Sequence, residues 1–282
     1  MHYKDLAVFS LSQFMVPNKF FIKNSSTRKH KNFVLSLTSS PLRLKQVQSV
    51  LTTFTQHRKV ILNLPKKFRN IEPYNLQDIE NLQLTFPTLH IHWLEKDLGP
   101  HTKLLGALSC PLIREDDYVV VLDDDTHYNN ELLDAYADAI QQQSGQVYTP
   151  YLSRRFGLSI PEGCNSFCVG IKDLLNATEK TSIQDMSTLF HSLANLYTMA
   201  HEKCKFHDDI VFAAVFHELQ LNIFQITETP FPAAFQMVEG YGTDALHIIS
   251  NNNEKDYLCA QAIWATKQMC PTEENTNSFL SN

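Results

Sequence analysis

Neither GxGxxG nor GxxxxGK[ST] occurs anywhere in the 282 residues, which leaves a dinucleotide-binding fold and a P-loop without support. No apolar run is long enough to cross a bilayer; the most apolar part of the N-terminus, residues 6–16, is short and contains Ser and Gln. That stretch also lacks the basic leader and small-residue cleavage site of a signal peptide. There is no long basic block and the formal net charge is -6, so the electrostatic footprint of a nucleic-acid binder is missing. The basic residues that do cluster, Lys19, Lys23, Arg28, Lys29 and Lys31, read as a solvated leader before the first strand. Six cysteines at irregular positions (110, 164, 168, 204, 259, 270) do not form a disulfide framework in a chain this long. Cys164, Cys168, His201 and Cys204 could be drawn as a zinc set. The CxxxC spacing is loose and no second pair accompanies it, so they read as structural thiols. Internal repeats and low-complexity tracts are absent as well. The expectation is a protein without a membrane span, working in a reducing, cytoplasmic compartment where the sequons at Asn24 and Asn176 go unused.

What is present is the composition of an ordinary globular protein, 43% hydrophobic and 19% charged. A chain of this length can bury a full core as one α/β domain. FVLSLTSSP (33–41) reads as a strand ending in a hydroxyl-rich loop, with Pro41 suited to a first helical turn and Ser39 or Ser40 as its cap. Leu44, Val47, Leu51 and Phe54 then recur at helical spacing. KVILNLP (59–65) is the second strand, a helix is expected around 76–83, and LHIHWLE (89–95) is the third strand. GPHTKLLGAL (99–108) opens another helix with Thr102 near its cap. After the next strand a helix over 129–143 turns Leu132, Leu133, Tyr136 and Ile140 inwards. Strands follow at 146–151 and 166–171, a long amphipathic helix at 181–203, a helix within 205–219 and a late strand at 222–226. Strands alternating with helices argue for a mostly parallel sheet flanked by helices. Residues 1–31 are expected to form an arm, 32–270 the domain, and 271–282 a disordered polar tail.

The chain is organised around YVVVLDDDTHY (118–128). Its short, β-branched apolar run reads as a strand buried on both faces, and in open α/β sheets the carboxyl ends of such strands rim the ligand crevice. If the backbone stays extended, Asp123 and Asp125 point one way and Asp124 the other. Like charges that close repel unless a proton or a cation intervenes. Two readings stand: a divalent-cation site, or a solvated acidic turn capping the next helix. His207, Asp208 and Asp209 form a second acidic cluster, either a cap for the helix they open or a general base held on a rigid element. In DLGPHTK (97–103) a tight turn leads to a helix N-terminus whose free N–H groups suit an anion, with Lys103 adding charge for a diphosphate. The plainer reading is a surface lysine after a turn. Thr38 and Arg43, at another strand's carboxyl end, make a plausible nucleotide edge.

LTSSPLRL, VILNLP, GPHTKL, VVVLDDD and HDDIVF, in that order, resemble a GT-A glycosyltransferase. The resemblance is to the small nucleotide-sugar-dependent enzymes of bacterial surface-polysaccharide clusters and some large DNA viruses, and it covers residues 32 to 230. It implies a Rossmann-like GT-A fold. It also implies a DxD site where Asp123 and Asp125 hold Mn2+ or Mg2+ against the diphosphate of the donor, with Asp125 the more direct ligand. The same resemblance puts Lys103, Thr102, Thr38, Arg43 and Asp124 on the donor side. Asp209 or Asp208 becomes the catalytic base, with Asp209 favoured. The implied reaction moves a sugar from a nucleoside-diphosphate sugar, a UDP-sugar favoured, to a hydroxyl of a glycan or other acceptor with inversion. A HAD-type phosphohydrolase is the rival enzyme, although it wants Thr or Val where His127 stands and its motif on the first strand. A catalytically silent sugar- or protein-binding module is the rival of another class.

Overall fold

The computed structural model describes residues 32–54, 59–68, 73–129, 131–143, 145–161, 166–179, 204, 207–226, 234–236 and 257–263. The expected arm at 1–31, the helix at 181–203 and the tail at 271–282 lie outside them.

The first half of the domain alternates strand and helix: β1 (Phe33–Thr38), α1 (Leu44–Thr52), β2 (Lys59–Pro65), α2 (Leu76–Thr85), β3 (Leu89–Leu94), α3 (Thr102–Ser109) and β4 (Tyr118–Val121). A single 3-10 turn, Gly99–His101, leads into α3. Next come β5 (Thr126–Tyr128), α4 (Leu132–Gln142), β6 (Gln146–Thr149), β7 (Leu152–Arg155), β8 (Leu158–Pro161), β9 (Phe167–Gly170) and α5 (Ile171–Glu179). Then come α6 (Asp208–Glu218), β10 (Asn222–Gln225) and β11 (Ala234–Gln236), and residues 257–263 are helical.

Seven strands form one sheet in the order β10-β6-β9-β4-β1-β2-β3. β3, β2, β1 and β4 pair in parallel, as do β6 and β10, while β9 runs antiparallel to both β4 and β6. The sheet is therefore mixed but mostly parallel, with the Tyr118 strand near its middle. The reason lies in the residues: runs such as FVLSL and KVILNL are apolar on both faces, which only a sheet covered on both sides can bury. One face packs against α1, α2 and α4 through Leu44, Val47, Ile79, Leu82, Leu132 and Tyr136. The other face packs against α3, α5 and α6 through Leu104, Leu105, Leu174, Phe212 and Phe216. The inward stripes expected for α1 (Leu44, Val47, Leu51, Phe54) and α4 (Leu132, Leu133, Tyr136, Ile140) are buried.

Three local expectations are corrected. The N-cap position of α1 is Arg43 and not Ser39 or Ser40: the helix starts at Leu44, and Arg43 makes no side-chain cap bond. The hairpin β7–β8 was not expected from its sequence, and it packs Leu158 and Ile160 against α6 in a third cluster. That cluster also holds a disulfide between Cys204 and Cys259, where the irregular cysteine spacing suggested unpaired thiols. No helix among the described residues is long and apolar enough to cross a membrane.

Candidate active site

Because β1 to β4 are parallel, their carboxyl ends open on one edge of the sheet, and the chain leaves that edge at Ser39, Lys66, Glu95 and Leu122. α3 is buried on all sides from Thr102 to Leu108, an unusual place for a lysine. A ladder of polar contacts fixes it. Asn63 Nδ2 donates to Ser36 Oγ (2.9 Å) and to the Leu37 carbonyl (3.2 Å), and the Ser36 hydroxyl donates to the carbonyl of Lys103. Gly106 allows the approach, since a Cβ there would sit 2.5 Å from Asn63 Cγ. Gly99 takes φ 60°, a left-handed turn that suits glycine, and its N–H donates to Asp97 Oδ1 at 2.7 Å.

The acidic triplet does not stay extended. β4 ends at Val121 and the chain turns at Asp124 and Asp125 before β5. The turn is pinned by the Asp123 N–H, which donates to the Tyr128 hydroxyl at 2.7 Å. The simple alternation of the three carboxylates is therefore replaced by another division. Asp124 and Asp125 share the Arg43 guanidinium, 2.6 Å from Asp124 Oδ1, while Asp123 turns to Lys103. Asp124 is the buried member, and it also accepts the Ser39 hydroxyl at 2.6 Å. Burial pushes its carboxyl up to about 7, with Asp125 and Asp123 adding to the rise while Arg43 and Ser39 hold it back. Burial and then Asp123 likewise raise Asp125, against the pull of Arg43 and Lys103. Negative charge thus remains in excess even with two cations present.

Lys103 joins the two acidic clusters. Its Nζ lies 2.6 Å from Asp123 Oδ1 and 2.9 Å from Asp208 Oδ2; the second contact is an ion pair whose angles fall short of a hydrogen bond. Burial alone would push this ammonium down, but Asp123, Asp208 and Asp209 together outweigh it and hold it well above the ordinary lysine value. Lys103 is thus a buried tie between the two acidic clusters, and the surface-lysine reading is overturned. Asp208 and Asp209 occupy the first turn of α6, where the helix dipole favours them. Asp208 is buried and Asp209 half-buried.

Thr38 stands at the end of β1 and donates its hydroxyl to the Asn63 carbonyl at 2.8 Å. The Thr102 hydroxyl is buried and makes no hydrogen bond among the described residues. The sequence patterns missed Ser36, Ser39, Asn63, Tyr74 and Tyr128. Tyr74 donates its hydroxyl to the Ser39 carbonyl at 2.7 Å, bracing the loop that holds Asp124. Polar residues inside otherwise apolar strands, Ser36 and Asn63, were the available signal for the first and third of these.

A divalent cation fits the chemistry of the triplet. All of its donors are carboxylate oxygens, which suit Mn2+ or Mg2+. Asp123 and Asp125 keep 25% and 21% of their side-chain surface exposed, against 8% for Asp124. They are the two more open members, although the three carboxylates do not bring one oxygen each within 4.8 Å of the other two.

No family model matches this chain, and no curated protein matches it. Among solved structures it is similar to S. aureus TarS, at 14% identity and a TM-score of 0.48, over 88% of this chain and 43% of that one. It is also similar to the glycosyltransferase GlyE of Streptococcus pneumoniae TIGR4 (14% identity, TM-score 0.43, 86% of this chain and 66% of that one). A third is mouse xyloside xylosyltransferase 1 in its apo form (11% identity, TM-score 0.34, 69% of this chain and 84% of that one). The chain spans less than half the length of TarS.

Proposed function

We propose that residues 32–270 form a metal-dependent GT-A glycosyltransferase. It moves a sugar from a nucleoside-diphosphate donor, a UDP-sugar favoured, to a hydroxyl of a glycan or other acceptor, with inversion. The observation that carries this reading is the Lys103 bridge between Asp123 and Asp208. It sets the acidic strand end beside the acidic helix start at the edge where α/β sheets bind ligands.

Asp123 and Asp125 would hold Mn2+ or Mg2+, which on binding supplies Lewis-acid stabilisation to the departing nucleoside diphosphate. Arg43 carries a planar fork matched to phosphate and is shared between Asp124 and Asp125, so it can exchange Asp125 for a phosphate oxygen when donor arrives. Asp124, buried on Ser39 and Arg43, keeps the turn in place. Asp208 is buried and tied to the Lys103 ammonium, which makes it an anchor. Asp209, half-buried one residue on, takes the proton of the acceptor hydroxyl as the new glycosidic bond forms. Lys103 itself orients the carboxylates on either side of it.

The test is donor-dependent stabilisation and turnover. The chain is incubated with Mn2+ and a panel of UDP-, GDP- and dTDP-sugars, and melting temperature and nucleoside-diphosphate release are followed. A metal-dependent shift with one nucleotide, plus release of that diphosphate, supports the assignment. Absence of any shift across the panel rejects it, and metal-dependent release of inorganic phosphate from simple phosphomonoesters would favour the phosphohydrolase instead.

A further inference from the structure

His90 and His92 lie two residues apart on β3, so both side chains share one face of the sheet. Their partners in register are Ile61 and Asn63 of β2. That is the face covered by α3: Asn63 meets Gly106, and a ring nitrogen of His92, Nε2, lies 3.1 Å from the Ser109 hydroxyl. Cys110 follows α3 directly and is buried against Val34 and Ile61. One ligand atom from each of His90, His92 and Cys110 lies within 4.8 Å of the other two. Among the described residues no other trio of His, Cys, Asp or Glu does this.

We propose that His90, His92 and Cys110 form a binding site for a borderline-soft divalent transition ion, zinc foremost, with three protein ligands and a fourth position open to water. The donor set is chemically specific. Two imidazoles and a thiolate suit zinc and exclude Mg2+ or Mn2+, which prefer oxygen. Tetrahedral bonds of about 2.0–2.3 Å place ligand atoms roughly 3.5 Å apart, so the trio would contract by about 1 Å to hold an ion. The supports are rigid, with two ligands on a strand and one at a helix end. A cation at the carboxyl end of α3 is also favoured by the helix dipole. Ser109 holds the His92 ring in place through its hydroxyl. The cation next to Cys110, Lys59, is already engaged by Asp117 at 3.2 Å and by the Leu112 carbonyl at 2.9 Å. A plain polar cluster would explain the His92–Ser109 bond. It would not explain a buried thiol gathered with two half-buried imidazoles. The ion would clip the edge strand of the sheet to the end of the helix whose first turn carries Lys103.

The test uses the full chain, stripped of metal and titrated with Co2+ in excess Mg2+, so that the carboxylate site is filled by a spectroscopically silent ion. One equivalent of Co2+ should give the intense visible bands of tetrahedral coordination and a thiolate-to-cobalt charge-transfer band, both lost when Zn2+ is added. Cys110→Ser should lose the charge-transfer band. His90→Gln, at a half-exposed position that leaves the core intact, should lose the tetrahedral intensity and the rise in melting temperature with Zn2+. Cys168→Ala, which removes the other free cysteine among the described residues, should leave every signal in place. Lack of a charge-transfer band in the wild type, or its survival in Cys110→Ser, overturns the site, as does a Zn2+ response in His90→Gln equal to that of the wild type.

Discussion

Lys103 Nζ stands 2.6 Å from Asp123 Oδ1 and 2.9 Å from Asp208 Oδ2, so one buried ammonium neutralises carboxylates from two distant segments. Removing it strands Asp208 in the interior without its counter-charge. Lys103→Met, of similar length, should therefore destabilise the fold by about 3–5 kcal/mol, the cost of breaking a buried ion pair from one side. Chemical denaturation checks this. The pair should also couple: in Lys103→Met with Asp208→Asn, much of the loss should return, because no buried charge is left alone. A strictly additive double mutant would separate the two residues.

The division of labour between the neighbouring acids makes a second prediction. Asp209→Asn should lower kcat by about 100-fold or more, the usual contribution of a general base, while donor affinity and melting temperature stay near wild type. Asp208→Asn should instead lower the melting temperature, since it removes one of the two carboxylates that hold the buried Lys103. Measuring turnover and thermal stability for both variants separates base from anchor. Reversed phenotypes would move the base to Asp208.

Arg43 is paired with Asp125, so on the proposed function a cation at Asp125 would have to displace it. Arg43→Gln should tighten Mn2+ binding to the donor-free protein by about tenfold, equivalent to 1.4 kcal/mol, and weaken binding of the nucleoside diphosphate. Calorimetric titration of metal alone, then of nucleotide with metal, reads both. Weaker metal binding in the variant would mean that Arg43 builds the cation site and does not occupy it.

The fold was legible where burial is two-sided. FVLSL, KVILNL and VVVL are apolar on both faces, and their spacing with helical stripes at Leu44–Leu51 and Leu132–Ile140 is sufficient for an α/β sheet. The direction of β9 was not legible, because an apolar strand of four residues reads the same either way. LSRRFGLSIP hid a hairpin since its buried residues, Leu158 and Ile160, face α6 and not the main sheet. The sequence singled out Asp123, Asp125, Asp208 and Asp209 as candidates, but not the arrangement that the fold gives them. Period-two alternation holds only while the backbone is extended, and the turn at Asp124 and Asp125 ends it. Ser39 shows the same limit. A hydroxyl before a helix is a cap by default, yet a buried carboxylate from a distant strand is the stronger claimant. Cys204 and Cys259, 55 residues apart, carried no pairing pattern at all.

At Gly106 local propensity and packing point in opposite directions. In an exposed helix Gly→Ala gains about 1 kcal/mol. At position 106 the new methyl would lie 2.5 Å from both Cγ and Oδ1 of Asn63 and 2.7 Å from its Cβ. Asn63 is fully buried and cannot swing aside, because its amide holds Ser36 Oγ and the Leu37 carbonyl. Overpacking of this kind costs about 1–3 kcal/mol, and a broken buried hydrogen bond about 1 more, so the loss exceeds the helical gain. Gly106→Ala should thus lower stability despite its better propensity. Ser36 also bonds the Lys103 carbonyl, so a shift of α3 should carry Lys103 with it and reduce kcat/KM. Adding Asn63→Ala makes room for the methyl and should restore part of the stability but not the activity, since Ser36 then loses its own partner. Wild-type stability in Gly106→Ala alone would show that α3 moves freely over β2 and that the placement of Lys103 has some other cause.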